Sequence, residues 1–119
     1  MPMPHPAPHH RLLVFVPEGE RTPKSVPVEL HDPWTTHLLR LLAGFFGGAT
    51  AYGRGVGVWR NAASEIIWDR VTVVESWIRP DVPDAQMDEL WQELEKMRVD
   101  LKQDRVGCIL DGEWFDSLP

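Results

Sequence analysis

A glycine-rich stretch over residues 44–59 most constrains how this chain can fold, because it joins an apolar segment to an alternating one. Gly47-Gly48 ends a helical pattern, since glycine accepts the left-handed conformation of a helix C-cap. Gly53, Gly55 and Gly57 then recur at every second position, which is the period of a β-strand. The alternation predicts a strand over 49–59 with two different faces. One face would carry Ala51, the three glycines and Trp59, and the other Tyr52, Arg54, Val56 and Val58.

Hydrophobic periodicity along the rest of the chain predicts the order β-α-β-β-α-β. The predicted elements are a strand over 11–16, a helix over 33–46 capped by Asp32, strands over 49–59 and 65–78, a helix over 84–103 and a strand over 106–110. With both helices on one face of a four-stranded antiparallel sheet, this order predicts an α+β, ferredoxin-like sandwich. Residues 1–10, rich in proline and histidine, are expected to form a disordered tail before a single domain over 11–119.

The predicted strand over 65–78 is apolar on both faces. It contains Trp68, Val71, Val73 and Trp77, so neither face is simply solvated. In a ferredoxin-like sandwich the helices cover one sheet face, and the other would then expose apolar side chains. Six tryptophans add rings suited to half-buried surfaces and interfaces. We therefore expect a homo-oligomer whose copies pair through the open sheet face.

Composition and charge argue against several classes of partner. The formal net charge is -6 and the 12 lysines and arginines are scattered, whereas nucleic-acid binding needs a concentrated basic surface. The apolar run Leu12 to Val16 is too short for a signal peptide, and no run approaches the length of a membrane span. The single cysteine, Cys108, lies in an apolar segment and is expected to be an inert core thiol. These features predict a cytoplasmic protein.

No metal, cofactor or catalytic residue is predicted, although a small ligand has candidate partners. The glycine run does not fit a dinucleotide-binding loop, whose glycines form a tight turn between a strand and a helix. A small anion would instead be held by flexible arginines beside this open backbone. The candidate ligand-binding residues are Tyr52, Arg54, Trp59, Arg60, Glu65 and Trp68.

Carboxylates along the predicted third strand offer a second possibility. Glu65 and Asp69 are an even number of positions apart, so we expect them on one face, with Arg70 and Glu75 opposite. Two carboxylates on one face could support acid–base chemistry. They could equally form cross-strand ion pairs or solvated edge groups.

The succession Phe46-Gly-Gly-Ala-Thr50, then Gly55-Val-Gly-Val-Trp59, then Glu65 and an apolar strand resembles a group of small bacterial proteins. These share a Gly-Gly-x-Thr turn and a Gly-x-Trp strand and are regarded as ferredoxin-like domains of unknown function. The likeness covers roughly residues 11–110 and implies a fold, but it assigns no residue a role. The element order also looks like nitrogen-signalling PII trimers and dimeric α+β-barrel enzymes, whose sequence motifs are missing here.

Three functions are compatible with these patterns. The first is a non-enzymatic binding or regulatory module that oligomerises through its sheet. The second is a small, cofactor-independent enzyme of the dimeric α+β-barrel type. Its cleft would lie between the helices and the sheet, near Tyr52, Trp59, Glu65 and Trp68. The third is an inhibitor or adaptor that binds another protein through the acidic helix over 84–95.

Overall fold

The computed structural model describes residues 8–17 and 28–115, with only the backbone described at 28–32, 53, 54, 69 and 115. The elements are β1 (His10–Pro17), α1 (Val28–Phe46), β2 (Thr50–Arg60), β3 (Ile66–Ile78), α2 (Asp84–Asp100), β4 (Cys108–Leu110) and β5 (Glu113–Phe115). Residues 1–7 of the predicted tail lie outside the described residues, and His10 already belongs to β1. No helix in the described ranges is long and apolar enough to span a membrane.

The strands form one five-stranded sheet in the order β2-β3-β1-β4-β5, with every neighbouring pair antiparallel. The predicted four-stranded, ferredoxin-like sheet is therefore wrong. The chain returns after β4 and adds β5 at the sheet edge, so that Ile109 faces Trp114. The predicted order of elements contains no strand in this last segment.

The turn Asp111-Gly112 explains the fifth strand. Both residues have a positive φ, 51° for Asp111 and 83° for Gly112. Two consecutive residues in this region form a type I′ turn, whose twist matches that of the strands it joins. The backbone N–H of Asp111 also donates to the carbonyl of Arg11 at 3.0 Å, which ties the turn to β1.

Helix α1 begins earlier than the sequence predicted. The predicted start at Pro33, with Asp32 as cap, is wrong, because the helix runs from Val28 and contains Pro33. The side chain of Asp32 lies outside the described residues. Proline lacks an N–H, so the helix lacks the backbone hydrogen bond from residue 33 to the carbonyl of residue 29.

The core lies between the two helices and one face of the sheet. Alternate residues of β1 and β3 point into it, because side chains alternate along a strand. The buried apolar residues are Leu12, Val14, Val16, Leu38, Leu42, Phe46, Val74, Ile78, Leu90, Leu94, Met97, Leu101, Val106 and Cys108. Cys108 is fully buried, as expected, and burial raises the pKa of its thiol to about 12.

Candidate functional site

The sheet face opposite the helices, called the open face below, is apolar with an aromatic rim. Leu13 and Ile109 face one another across β1 and β4, and Phe15 faces Val73 across β1 and β3. These four side chains are only partly buried. The open-face aromatic side chains that remain more than a third exposed are Tyr52 at 47%, Trp59 at 39%, Trp77 at 49% and Trp114 at 60%.

At one end of this face the strand register brings four functional side chains together. Arg11 on β1 lies opposite Trp77 on β3, and Glu75 lies two positions along β3 from that pair. Tyr52 on β2 lies opposite Val73, which places it diagonally across from Glu75 on the other side. Diagonal neighbours on one sheet face are within reach of long and aromatic side chains. We call Arg11, Tyr52, Glu75 and Trp77 the carboxylate site.

Glu75 is the centre of the carboxylate site. Its residue is 8% exposed, although it lies on the open face. The Tyr52 hydroxyl donates to Oε1 at 2.6 Å, and Nε of Arg11 donates to Oε2 at 2.5 Å. The Trp77 side chain supplies a further hydrogen bond. A buried carboxylate needs such partners, because burying an unpaired charge is very costly.

These contacts fix the protonation of the site. Hydrogen bonds from Tyr52 and then from Arg11 hold the pKa of Glu75 below its ordinary value, because they stabilise the ionised form. The hydrogen bond to Glu75 in turn raises the pKa of Tyr52, because the phenol must keep its proton to donate it. The Arg11 guanidinium also lies over the Trp77 ring, 5.7 Å from its centroid. At neutral pH the site therefore consists of a carboxylate, a neutral phenol and a guanidinium.

A β-bulge in β2 sets which residues share the open face. The pairing shifts between Tyr52, opposite Val73, and Arg54, opposite Thr72. One extra residue on β2 reverses the face of everything beyond it. Gly55, Gly57 and Trp59 therefore share the face of Tyr52, while Val56 and Val58 share the opposite face. The predicted separation of Tyr52 from these glycines is wrong for this reason.

The structure does not bring the six predicted ligand-binding residues into one site. Tyr52 belongs to the carboxylate site, and Trp59 lies on the same face but several residues further along β2. Arg60 and Trp68 lie on the opposite face, and the side chain of Arg54 lies outside the described residues. Glu65 follows the turn between β2 and β3, where its carboxylate accepts a 3.3 Å hydrogen bond from Asn61.

Sequence reasoning missed Arg11 and Trp77 and placed Glu75 on the wrong face. Strand β3 is unbroken, so Glu75 shares its face with Val71, Val73 and Trp77, the open face. One signal was present: Glu75 is the only charged residue between Val71 and Ile78. A single charge within a long apolar strand must find partners across the sheet.

The described residues contain no cluster of three or more His, Cys, Asp or Glu side chains that could hold a metal ion. The histidine pairs in the structure have other roles. His10 bonds Asp111 at 2.5 Å, and His37 of α1 bonds Glu93 of α2 at 2.9 Å. Both histidines therefore link elements of the fold.

Two solved structures resemble this chain in fold. A phage SAM lyase in complex with S-methyl-5′-thioadenosine matches with a TM-score of 0.64 at 13% identity, covering 100% of this chain and 96% of that one. A phage SAM lyase in its apo state matches with a TM-score of 0.53 at 13% identity, covering 93% and 88%. No protein-family model matches the chain, and no curated protein does.

At this level of identity the likeness shows a shared fold and nothing more. The chain has the architecture of a phage SAM lyase, which replaces the predicted ferredoxin-like fold. The resemblance of the Gly-Gly-x-Thr and Gly-x-Trp motifs to small bacterial domains stays a prediction.

Proposed function

We propose that this chain is a small enzyme that cleaves S-adenosylmethionine (SAM), or a closely related sulfonium nucleoside, to S-methyl-5′-thioadenosine. The observation that carries the proposal is a buried, ionised Glu75 on an open, aromatic sheet face. The resemblance of the fold to a phage SAM lyase, bound to S-methyl-5′-thioadenosine, indicates the class of ligand. This is an enzymatic function without a cofactor, as in the second of the three functions predicted from sequence, although the fold predicted for that enzyme is wrong.

The charges of the carboxylate site match those of a sulfonium amino acid. SAM carries a cationic sulfonium, a cationic ammonium, a carboxylate and an aromatic adenine. Carboxylates and aromatic faces attract cations, so Glu75, Tyr52 and Trp77 would hold the ammonium end, which stays cationic throughout the reaction. The half-exposed Arg11 guanidinium would bind the substrate carboxylate. An exposed tryptophan of the open face would stack on adenine.

The proposed reaction needs no external reactant. The bond between sulfur and the γ-carbon of the amino-acid chain breaks, and its electron pair goes to sulfur, which becomes a neutral thioether. The substrate's own carboxylate oxygen forms the new bond to the γ-carbon and closes a homoserine lactone. Positive and negative charge disappear together in the transition state, so an apolar surface that excludes water favours the step.

The protonation of Glu75 favours this ring closure over elimination. Elimination would need a base to remove a proton from the β-carbon of the substrate. The hydrogen bonds from Tyr52 and Arg11 lower the pKa of Glu75 and make it a weak base. A Glu75 that is ionised at neutral pH is better suited to positioning a cation than to accepting a proton.

The experiment is to incubate the purified chain with SAM and measure S-methyl-5′-thioadenosine and homoserine lactone by mass spectrometry. We expect both products in equal amounts from the wild type. Glu75→Gln removes the charge that positions the cation and should lower kcat/KM on the order of 100-fold. Arg11→Gln should raise the KM for SAM yet leave the affinity for S-methyl-5′-thioadenosine, which has no carboxylate, unchanged.

Arg79→Gln is the matched control, because Arg79 is an exposed arginine just beyond the end of β3. It should behave like the wild type. If the wild type forms no product and neither nucleoside raises its melting temperature, the proposal fails. Binding of SAM without turnover would instead favour the non-enzymatic binding module.

The predicted homo-oligomer belongs to this proposal. A small ligand is usually buried over most of its surface, and the carboxylate site lies on an open sheet face. A second copy packed on that face would supply the missing cover. The cytoplasmic location predicted from the sequence also remains part of the proposal.

A further inference from the structure

A second apolar surface lies on the other side of the sheet, where β2 and β3 extend beyond the helices. On the side of the sheet that faces the core, Val74 and Ser76 of β3 are buried. Further along the same side the side chains are exposed instead. They are Val56 at 72%, Val58 at 54%, Ile66 at 53% and Trp68 at 65%, and we call these four the hairpin ribbon.

Two arginines flank the hairpin ribbon. Arg70 lies opposite Val56 at one end, and Arg60 lies opposite Ile66 at the other. Both arginines are exposed, and neither forms an ion pair in the part of the chain that the structure describes. A contiguous apolar patch with a charged rim is typical of an interaction surface.

A surface of opposite charge exists on α2. Asp84, Asp88 and Glu89 are exposed near its start, and no ion pair among the described side chains involves them. The same exposed side of the helix also carries Ala85. We call Asp84, Ala85, Asp88 and Glu89 the acidic ridge.

The hairpin ribbon and the acidic ridge of the same chain do not contact each other. Helix α1 packs against β2 and β3, whereas α2 makes no close backbone approach to either strand. The ribbon is about 13 Å long from Val56 to Arg60. The ridge is about 8 Å long from Asp84 to Glu89, so the arginines at the two ends of the ribbon can reach its carboxylates.

We propose that the hairpin ribbon of one copy packs on the acidic ridge of α2 in a second copy. Trp68 and the two valines cover Ala85, while Arg60 and Arg70 pair with the carboxylates on either side. Ribbon-to-ribbon pairing is disfavoured, because it brings the arginines of both copies together. The contact is independent of the proposed enzymatic function, since it uses none of the carboxylate site.

The test is a charge exchange measured by sedimentation velocity at low salt. Arg60→Glu/Arg70→Glu and Asp88→Arg/Glu89→Arg should each weaken self-association about tenfold or more. Asp84 stays unchanged, because it stabilises the first turn of α2. Mixing the two variants should restore association between them, since the introduced charges again have opposite signs.

The matched control is Arg40→Glu/Arg79→Glu, which makes the same change of charge at two exposed arginines outside the ribbon. It should associate like the wild type, and Trp68→Ser should weaken association without a change of charge. Circular dichroism identifies any variant that fails to fold. For Trp68→Ser the ring is already largely in solvent, so a folded protein is expected.

Three outcomes would overturn the proposal. The first is that Arg60→Glu/Arg70→Glu self-associates as strongly as the wild type, which would mean that the copies contact each other through the open face. The second is failure of the two folded variants to associate with one another when mixed. The third is a monomeric wild type that binds phosphatidylserine vesicles through Trp68, which would make the occupant a membrane surface.

Discussion

Glu75 is the residue whose environment gives the clearest prediction about pH. Its pKa lies below the ordinary value of 4.5, so the folded protein favours the ionised form more than the unfolded chain does. This contribution to the free energy of unfolding is complete above the unfolded pKa and disappears as the pH falls through the folded pKa. We expect Glu75→Gln to destabilise the protein most near neutral pH, with the difference from wild type shrinking on acidification.

The measurement is urea unfolding of both proteins from neutral pH to about pH 3. Glu113→Gln is the matched control, because Glu113 is exposed on β5 and its side chain forms no hydrogen bond or ion pair with the described residues. Glu113→Gln should leave the pH dependence of the free energy of unfolding as it is in the wild type. A Glu75→Gln effect of constant size across this range would show that the carboxylate gains nothing from Tyr52 and Arg11.

At the scale of elements, the edge strand β5 depends on a glycine in the segment before β4. The Trp114 ring lies directly over Gly107, where a Cβ atom would overlap it, and also packs against Phe15 with ring centroids 5.8 Å apart. Gly107→Ala should therefore displace the ring from Phe15 and lower the free energy of unfolding by about 0.5–1.5 kcal/mol, the contribution of one aromatic pair. Chemical denaturation measures the change.

The control is Gly44→Ala, because Gly44 lies inside α1 and a Cβ atom added there would meet no neighbouring atom within 4 Å. That substitution should raise the free energy of unfolding by up to about 1 kcal/mol, since alanine favours the helix. A double-mutant cycle gives the decisive comparison. If Gly107→Ala costs as much in a Trp114→Ala background as in the wild type, the ring is not the cause.

The elements also show how far the sequence was informative. Hydrophobic period predicted the strands β1 to β4 and the body of both helices within a few residues. It could not predict the bulge in β2. The extra residue is defined only by the pairing with β3, and it produces no recognisable hydrophobic pattern in the sequence. The fifth strand could have been predicted, since Asp111-Gly112 is a strong hairpin signal.

The carboxylate site was harder to predict than the fold. Arg11, Tyr52 and Glu75 are far apart in the chain and meet only through the registers of β1, β2 and β3. A one-residue change of register would send each side chain to the opposite face. Of these three, only Tyr52 was among the predicted ligand-binding residues, and Glu75 was named only as one of the carboxylates of the third strand.

For the whole molecule, the open face and the hairpin ribbon lie on opposite sides of one sheet. A chain that forms both of the proposed contacts would build assemblies larger than a pair, and the two contacts can be separated by mutation. Leu13 and Val73 are partly buried side chains in the middle of the open face. Leu13→Arg/Val73→Arg would place charges there, which is unfavourable in an interface that excludes water.

We expect this double variant to lose the open-face contact while the charge-exchange pair at the ribbon still associates. Sedimentation velocity would then show a smaller species than the wild type, with a dissociation constant raised about tenfold or more. Arg40→Glu, on the exposed side of α1, controls for a general effect of charge. Because a ligand on the carboxylate site would be covered by this contact, S-methyl-5′-thioadenosine should strengthen association of the wild type. If Leu13→Arg/Val73→Arg leaves association unchanged, and the nucleoside does not strengthen association of the wild type, the open face is not a contact and stays exposed to water.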